Sequence, residues 1–282
     1  MAREQKINNE FGIEEHIIIC NWSKKADLLI SELHDASLDK KRPIIIVSEN
    51  PQDIPDFDEN EIYRGIMIVK GNPSHEETLK RAGINSASTV IILADRALGD
   101  VADTKTIMTA IAIDHINSSI HVVVEVLQSS NVPYFSYTHA NEIICLELLT
   151  ERLLAQSCLT PGISFIFSDL LTQSSDTNEI YVEDIPSKYI GKTFQELKEA
   201  IINLTEIDVI LIGIGGEKKA LNEVGEIEFN HASEPFIDKF LSINPKSYDN
   251  SNNTEYHKDY IMNEEDKIYL ISYIKPNLNL FL

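Results

Sequence analysis

Two runs of branched aliphatic residues constrain this chain more than any other feature: Ile17-Ile18-Ile19, within His16–Cys20, and Ile44-Ile45-Ile46-Val47. Neither run alternates with polar residues, so each reads as a short buried strand. Between them Ala26, Leu29, Ile30 and Leu33 stand at i, i+3, i+4 and i+7, which is one face of a helix. The polar corner Asn21-Trp22-Ser23 joins the first strand to that helix, and Ser48-Glu49 closes the second. Strand, tight turn, helix, strand and a closing acid form the first half of a dinucleotide-binding βαβ unit.

The usual turn of that unit reads G-x-G-x-x-G, and here those positions hold Asn21, Ser23 and Ala26. The residues are small, but the close backbone approach that glycine permits is lost. Helix-terminal N–H groups can still face a phosphate, and Lys24 and Lys25 bring positive charge to the same turn. The pattern leaves open a nucleotide site and a purely structural βαβ unit.

Further along, Ile66–Val69 reads as a third strand ending at Lys70-Gly71-Asn72-Pro73. Ser74 and Glu77 stand as a capping box for the next helix, which Gly83 stops. Thr89–Leu93 is a fourth strand. A helix follows near Asp103, with Ile107, Ala110 and Ile111 on one face. His121–Leu127, with Glu125 inside it, and the shorter Glu142–Cys145 complete six strands. Strands alternating with helices predict a Rossmann-like α/β fold with a doubly wound, mostly parallel sheet. Its ligand crevice is expected at the strands' carboxyl ends, at Asn21–Ser23, Glu49, Gly71-Asn72 and Asp95.

The pattern changes at Leu146. Residues 146–171 form helical segments broken at Thr160-Pro161-Gly162, apolar around much of their circumference, as in helices that bury against a second subunit or domain. The expected organisation is a first domain over 1–145, crossover helices over 146–178 and a smaller α+β domain over 179–282. In that last part Glu179–Val182, Val209–Gly213 and Lys267–Tyr273 read as strands, and Leu197–Leu204 as a helix capped by Thr193 and Glu196. Residues 215–239 read as an insertion or long hairpin and 249–257 as a polar loop.

A formal charge of −21 over 282 residues argues against nucleic acid and against an anionic membrane surface. No apolar run approaches the ~18–20 residues of a membrane helix, so no membrane insertion of this segment is expected. Three cysteines without C-x-x-C spacing, Cys20, Cys145 and Cys158, suggest buried reduced thiols in a cytoplasmic protein.

Several motifs, in order, resemble the regulator-of-potassium-conductance (RCK, or Trk/Ktr) family. Ile19-Cys20-Asn21-Trp22-Ser23 is similar to its I-C-G-W-S turn. Gly71-Asn72-Pro73-Ser74, Leu79–Ile84 and Ile91–Ala94 resemble its G-D-P-T, L-x-R-A-G-I and V-I-I-L-A segments, and Ala102–Ile107 its V-D-A-R-T-L helix start. Leu154–Ser157 with Pro161-Gly162 resembles the crossover, and Ile210–Ile214, Ile243-Asn244-Pro245 and Glu265–Ile268 the second domain. The resemblance implies a ligand-sensing module without catalysis. Its copies would pair and assemble into a ring that gates a potassium pore, carried upstream in the same chain or on a separate subunit. A stand-alone regulatory subunit of a Trk/Ktr transporter is the alternative; an NAD-dependent oxidoreductase would fit only the strand order.

The implied ligands are an adenine nucleotide (NAD, ADP or ATP) and calcium or another divalent cation. The nucleotide would meet Asn21, Trp22, Ser23, Lys24, Lys25, Glu49, Gly71, Asn72 and Asp95, with the ribose at Glu49. An aromatic residue in such a turn more often packs on a neighbouring subunit, and that is the alternative for Trp22. Asp95, Asp100, Asp103 and Glu125 are the candidate cation ligands, because a hard cation takes several oxygens at once. Each has a plain structural alternative, Asp103 as a helix cap and Asp95 as a strand end. Glu125, inside an apolar strand, needs a ligand or a basic partner.

Overall fold

The structure, a computed structural model, describes residues 13–34, 42–54, 65–172, 177–217, 239–243 and 261–281. The chain forms two compact units, Met1–Ser164 and Phe165–Leu282, and the division falls inside a helix.

In the first unit six strands run parallel: β1 (Ile17–Cys20), β2 (Ile44–Ser48), β3 (Met67–Lys70), β4 (Thr89–Ile92), β5 (His121–Val126) and β6 (Glu142–Cys145). Their order is β3-β2-β1-β4-β5-β6, the doubly wound arrangement expected of alternating strands and helices. The helices are α1 (Lys25–Leu33), α2 (Glu76–Arg81), α3 (Ala102–Ile116), α4 (Leu146–Leu159) and α5 (Ile163–Leu171), the last crossing into the second unit. Successive strand residues point to opposite faces. Ile17, Ile19, Ile44 and Ile46 pack with Ala26 and Ile30 of α1, while Ile18, Cys20, Ile45 and Val47 pack with Leu79, Ala110 and Ile113 on the other side. Both faces are covered, which is why these strands carry no polar alternation.

Three local expectations are corrected. Helix α2 begins at Glu76 with no side-chain cap, because Asn72 Oδ1 accepts from both the backbone N and the hydroxyl of Ser74, at 2.9 and 2.8 Å. The nearer partner wins the serine, and the Ser74–Glu77 box does not form. In α3 the buried face runs through Ala102, Asp103, Thr106, Thr109, Ala110 and Ile113, leaving Ile111 exposed. Cys20 and Cys145 are buried, but Cys158 is exposed on α4.

At the opposite end of the sheet, His16 is buried and its Nε2 donates to the carbonyl of Ala82 at 2.9 Å. Gly83 stops α2 as expected, with a φ of +71°, and a Cβ there would lie 3.1 Å from the His16 ring. That position needs glycine twice over, for its backbone and for its neighbour.

The second unit contains β7 (Glu179–Asp184), α6 (Phe194–Ile202), β8 (Val209–Glu217), β9 (Lys239–Ile243), β10 (Lys267–Ser272) and a short α7 (Leu278–Phe281). Its sheet is antiparallel, ordered β7-β10-β8-β9, and its core gathers Phe194, Leu197, Ile201, Leu211, Ile214, Ile268 and Leu270. The capping box at Thr193 and Glu196 forms in both directions. Strands β8 and β9 pair at the two ends of the stretch 215–239 expected as an insertion or hairpin; residues 218–238, the loop 249–257 and the Asn244-Pro245 motif lie outside the described residues. Among the described residues no helix is long and apolar enough to cross a membrane.

Candidate functional site

Where the strand order reverses, between β1 and β4, a doubly wound sheet opens a crevice outside its carboxyl ends. Asn21, Glu49, Gly71 and Asp95 follow β1, β2, β3 and β4, so the structure brings these predicted residues to one edge of the sheet.

Asn21 shows how the turn works without glycine. Its φ is +70°, in the left-handed region that asparagine tolerates better than most residues. Its backbone N donates to Val47, and its side-chain Nδ2 donates to the Leu93 carbonyl at 2.8 Å. The amide therefore ties the end of β1 to the segment after β4, using space that a glycine would leave to a ligand. Ala26, at the third glycine position, is fully buried where α1 meets the sheet. Trp22 packs half-buried against the core on the α1 side, and the hydroxyl oxygen of Ser23 is buried with no hydrogen-bond partner among the described residues. Lys24 is exposed. Beneath the turn, burial pushes the Cys20 thiol up to about 12 and keeps it un-ionised.

Two ion pairs cross the switch point. Lys25, which opens α1, pairs with Glu125 on β5, whose second oxygen accepts from Ala94 N at 3.2 Å. The carboxylate inside the apolar strand thus has a basic partner. Lys105, in the first turn of α3, pairs with Glu49 at the end of β2. Strands β2 and β4 flank β1, so this bridge passes over the end of β1. The two pairs differ in their carboxylates: the Glu125 side chain is 9% exposed and that of Glu49 42%, while their lysines, Lys25 and Lys105, are 42% and 21% exposed. Exposed pairs are worth about 0–1 kcal/mol, whereas a buried carboxylate left unpaired costs several times that.

Gly71 requires glycine for packing. A Cβ there would come within 2.6 Å of the Thr78 hydroxyl, and Arg81 donates to the neighbouring Lys70 carbonyl at 2.8 Å. With Asn72 engaged by Ser74, the polar groups of this turn are largely used within the fold.

The four acids proposed for a cation are spread among separate tasks. Asp95 accepts from Ala97 N at 3.0 Å and opens a short 3-10 turn over Arg96–Val101; Asp100 is exposed. Asp103 is buried and accepts from Leu127 N, Gln128 N and Asn131 Nδ2 at 2.9, 3.0 and 2.7 Å, anchoring the segment that leaves β5. Among the described residues no three His, Cys, Asp or Glu side chains gather to hold a metal ion. Asp103 and Glu125, committed to N–H donors and a lysine, do not fit a ready-made cation cage within one chain.

No local sequence pattern marks Lys105 or Arg96. Lys105 is the one lysine of α3, but its target becomes visible only with the strand order. Arg96 lines an open groove of about 520 Å³ with Leu127, Leu146, Glu147, Thr150 and Glu151. There Glu147 accepts from Ser129 N at 2.6 Å, which holds its carboxyl below the usual range.

Residues 12–124 match the sequence model of the calcium-activated potassium channel slowpoke-like RCK domain. This stretch is an RCK domain. The chain is 30% identical over 215 residues to the calcium-gated potassium channel TvoK of Thermoplasma volcanium, covering 74% of this chain and 57% of TvoK. It is 23% identical over 282 residues to the calcium-activated potassium channel slowpoke of Drosophila melanogaster, covering 89% of this chain and 22% of the relative. The chain thus spans little more than half of one relative and about a fifth of the other. Its RCK fold is shared with the human SLO3 gating ring at a TM-score of 0.63 and 18% identity, over 95% of this chain and 46% of that one.

Proposed function

We propose that this chain is the ligand-sensing regulatory module of a potassium channel, turning ligand occupancy into movement of an assembly of its copies at the cytoplasmic side of a pore. The pore would be carried in the same polypeptide or on a separate subunit. One observation carries the reading: the 74% of the chain aligned with TvoK exceeds the 164 residues of the first unit, so the likeness reaches beyond a lone nucleotide-binding-type fold. Nothing in it requires catalysis.

Two ligands are proposed. An adenine nucleotide would lie at the switch-point crevice, its ribose hydroxyls donating to Glu49 and its phosphates facing the Asn21–Lys25 turn. A bound nucleotide would supply charge and hydrogen bonds here, with Glu49 orienting it and the exposed Lys24 bringing positive charge to the turn. Calcium is a second ligand, favoured by the similarity to calcium-gated and calcium-activated channels; with Asp103 and Glu125 committed to the fold, it would need carboxylates from more than one copy. Like charges crowded by assembly oppose compaction at −21 per chain, and a divalent cation relieves that.

The proposed pairing surface is α4–α5, where Leu149, Leu154, Leu159, Phe165, Phe167 and Leu171 are exposed. Burying each such side chain is worth about 1.5–3 kcal/mol, enough to favour at least a dimer. The test is sedimentation of the chain at micromolar concentration with and without calcium, ADP or NAD(H), alongside calorimetry of each ligand. A dimer or larger assembly that binds at least one ligand without hydride transfer is expected. A monomer indifferent to all of them sinks the proposal.

A further inference from the structure

The crossed ion pairs form a reciprocal arrangement. Lys25, from the first half of the sheet, reaches Glu125 in the second, and Lys105, from the second half, reaches Glu49 in the first. The pairs differ in what holds them. Glu125 is nearly buried and has a backbone donor besides its lysine, so that pair is a fastener. The Glu49 carboxylate is 42% exposed against 9% for Glu125, and among the described residues its hydrogen-bonded partner is the half-buried Lys105 alone, so this pair can be exchanged from the Glu49 side.

We propose that Lys105–Glu49 is an exchangeable latch across the switch-point crevice, selecting ligands that carry both an anionic group and a neighbouring hydroxyl pair. The idea rests on the reading of that crevice as a nucleotide site, and it assigns Lys105 a role in ligand choice. In the free chain each partner satisfies the other. An anion that takes Lys105 releases Glu49, whose two oxygens then accept from hydroxyls. Hydroxyls that take Glu49 release Lys105 for the anion. Each part of the ligand thereby frees the group the other part needs, and such coupling is necessarily mutual. A ligand with only one of the two parts leaves one charge without its partner and binds less well. Asn21 reinforces this selection: its amide is tied to Leu93, so the turn itself offers less backbone approach to an anion than glycine would.

The probes are inorganic pyrophosphate, an anion without hydroxyl pairs, and adenosine, a hydroxyl pair without an anion. Both are titrated calorimetrically into the full chain as wild type, Glu49→Gln, Lys105→Met and Lys105→Arg, with thermal melting confirming that each variant is folded. Glu49→Gln frees Lys105 and is expected to bind pyrophosphate about three- to five-fold more tightly than wild type, the worth of an exposed pair. The same variant should bind adenosine more weakly. Lys105→Met should show the reverse on both probes, Lys105→Arg should keep the wild-type pattern, and saturating pyrophosphate should tighten adenosine binding to wild type.

Equal affinities in all four chains, shifts of the same sign for both probes, or no binding of either probe to any chain would overturn the latch. A separate ADP titration into wild type keeps the two ideas apart. Opposite shifts in the variants without ADP binding would leave the latch standing and remove the nucleotide reading. ADP binding with unshifted probes would do the opposite.

Discussion

Strand β2 of the first unit is buried at every residue from Ile44 to Ser48, whereas β7 of the second alternates, with Ile180, Val182 and Asp184 exposed and Glu179, Tyr181 and Glu183 half-buried. Both strands carry branched aliphatic side chains, four in β2 and two in β7. The difference lies in what covers them: the parallel sheet has helical residues packed on both faces, while in the antiparallel sheet the exposed positions of β7, with Ile210 on β8, occupy the face opposite the core. The same residue type therefore carries very different weight in the two units, and polar groups follow the same rule. The Glu125 carboxylate sits inside the parallel sheet, whereas Asp184 and Lys267 pair at the open edge of the other.

The sharpest way to break this comparison is to shorten one side chain in each sheet. Ile46→Ala removes a fully buried side chain and should cost about 2–5 kcal/mol, while Val182→Ala should stay within about 0.5 kcal/mol. Urea unfolding followed by the fluorescence of Trp22, the sole tryptophan and part of the first unit, measures the first directly, with far-ultraviolet dichroism for the second. Equal losses would mean that the open face is covered in solution.

Ion pairs provide the next test. Lys25→Met leaves a nearly buried carboxylate with one backbone donor and should destabilise by about 1–3 kcal/mol. Lys267→Met breaks a pair whose members are 50% and 74% exposed and should cost no more than about 0.5 kcal/mol. The same denaturation curves discriminate the two; a ranking in the other order contradicts the burial argument.

A smaller contrast concerns left-handed backbone positions. Asn21→Ala should cost about 1–2 kcal/mol, since alanine resists a φ of +70° and the bond to Leu93 is lost. Gly191, at +79° with open space where a Cβ would go, should accept asparagine at a cost of a few tenths of a kcal/mol. If Asn21→Ala melts like wild type, the amide tie is not holding the turn.

The smallest expected effect is on pH dependence. Burial lowers the pKa of His16 below its ordinary 6.5, partly offset by its bond to Ala82, and its Nδ1 has no partner among the described residues. The unfolded chain then binds a proton that the folded chain refuses. Stability is complete above about pH 6.5 and falls as the pH drops from there towards the lowered folded value. Melting temperatures between pH 7.5 and 5.5 should decline less steeply for His16→Asn than for wild type. Parallel slopes would remove His16 from the account.

Much of the framework was legible from local pattern alone. Continuous apolar runs marked the buried strands, Gly83 the end of α2 and Thr193 with Glu196 the start of α6, because these features depend on neighbours within a few residues. Ser74 misled for the same reason: as a cap it looked sufficient, but Asn72, two residues earlier, competes for its hydroxyl. The α3 face was misjudged because Asp103, Thr106 and Thr109 are buried there beside Ala110, which an apolar pattern cannot reveal.

The sequence by itself determined the order of strands and helices, the need of Glu125 for a partner and the acid at the end of β2, since burial and periodicity are written in residue type. Which lysine meets which glutamate was decided only by tertiary structure. Lys105 reaches Glu49 across 56 positions, and Lys25 reaches Glu125 across 100. Both contacts exist because the strand order runs β2-β1-β4-β5, and nothing local to any of these residues encodes that neighbourhood. The role of Asn21 belongs with them: its left-handed backbone was foreseeable from the glycine position it fills, but its hold on Leu93 depends on a strand 72 residues away being brought alongside.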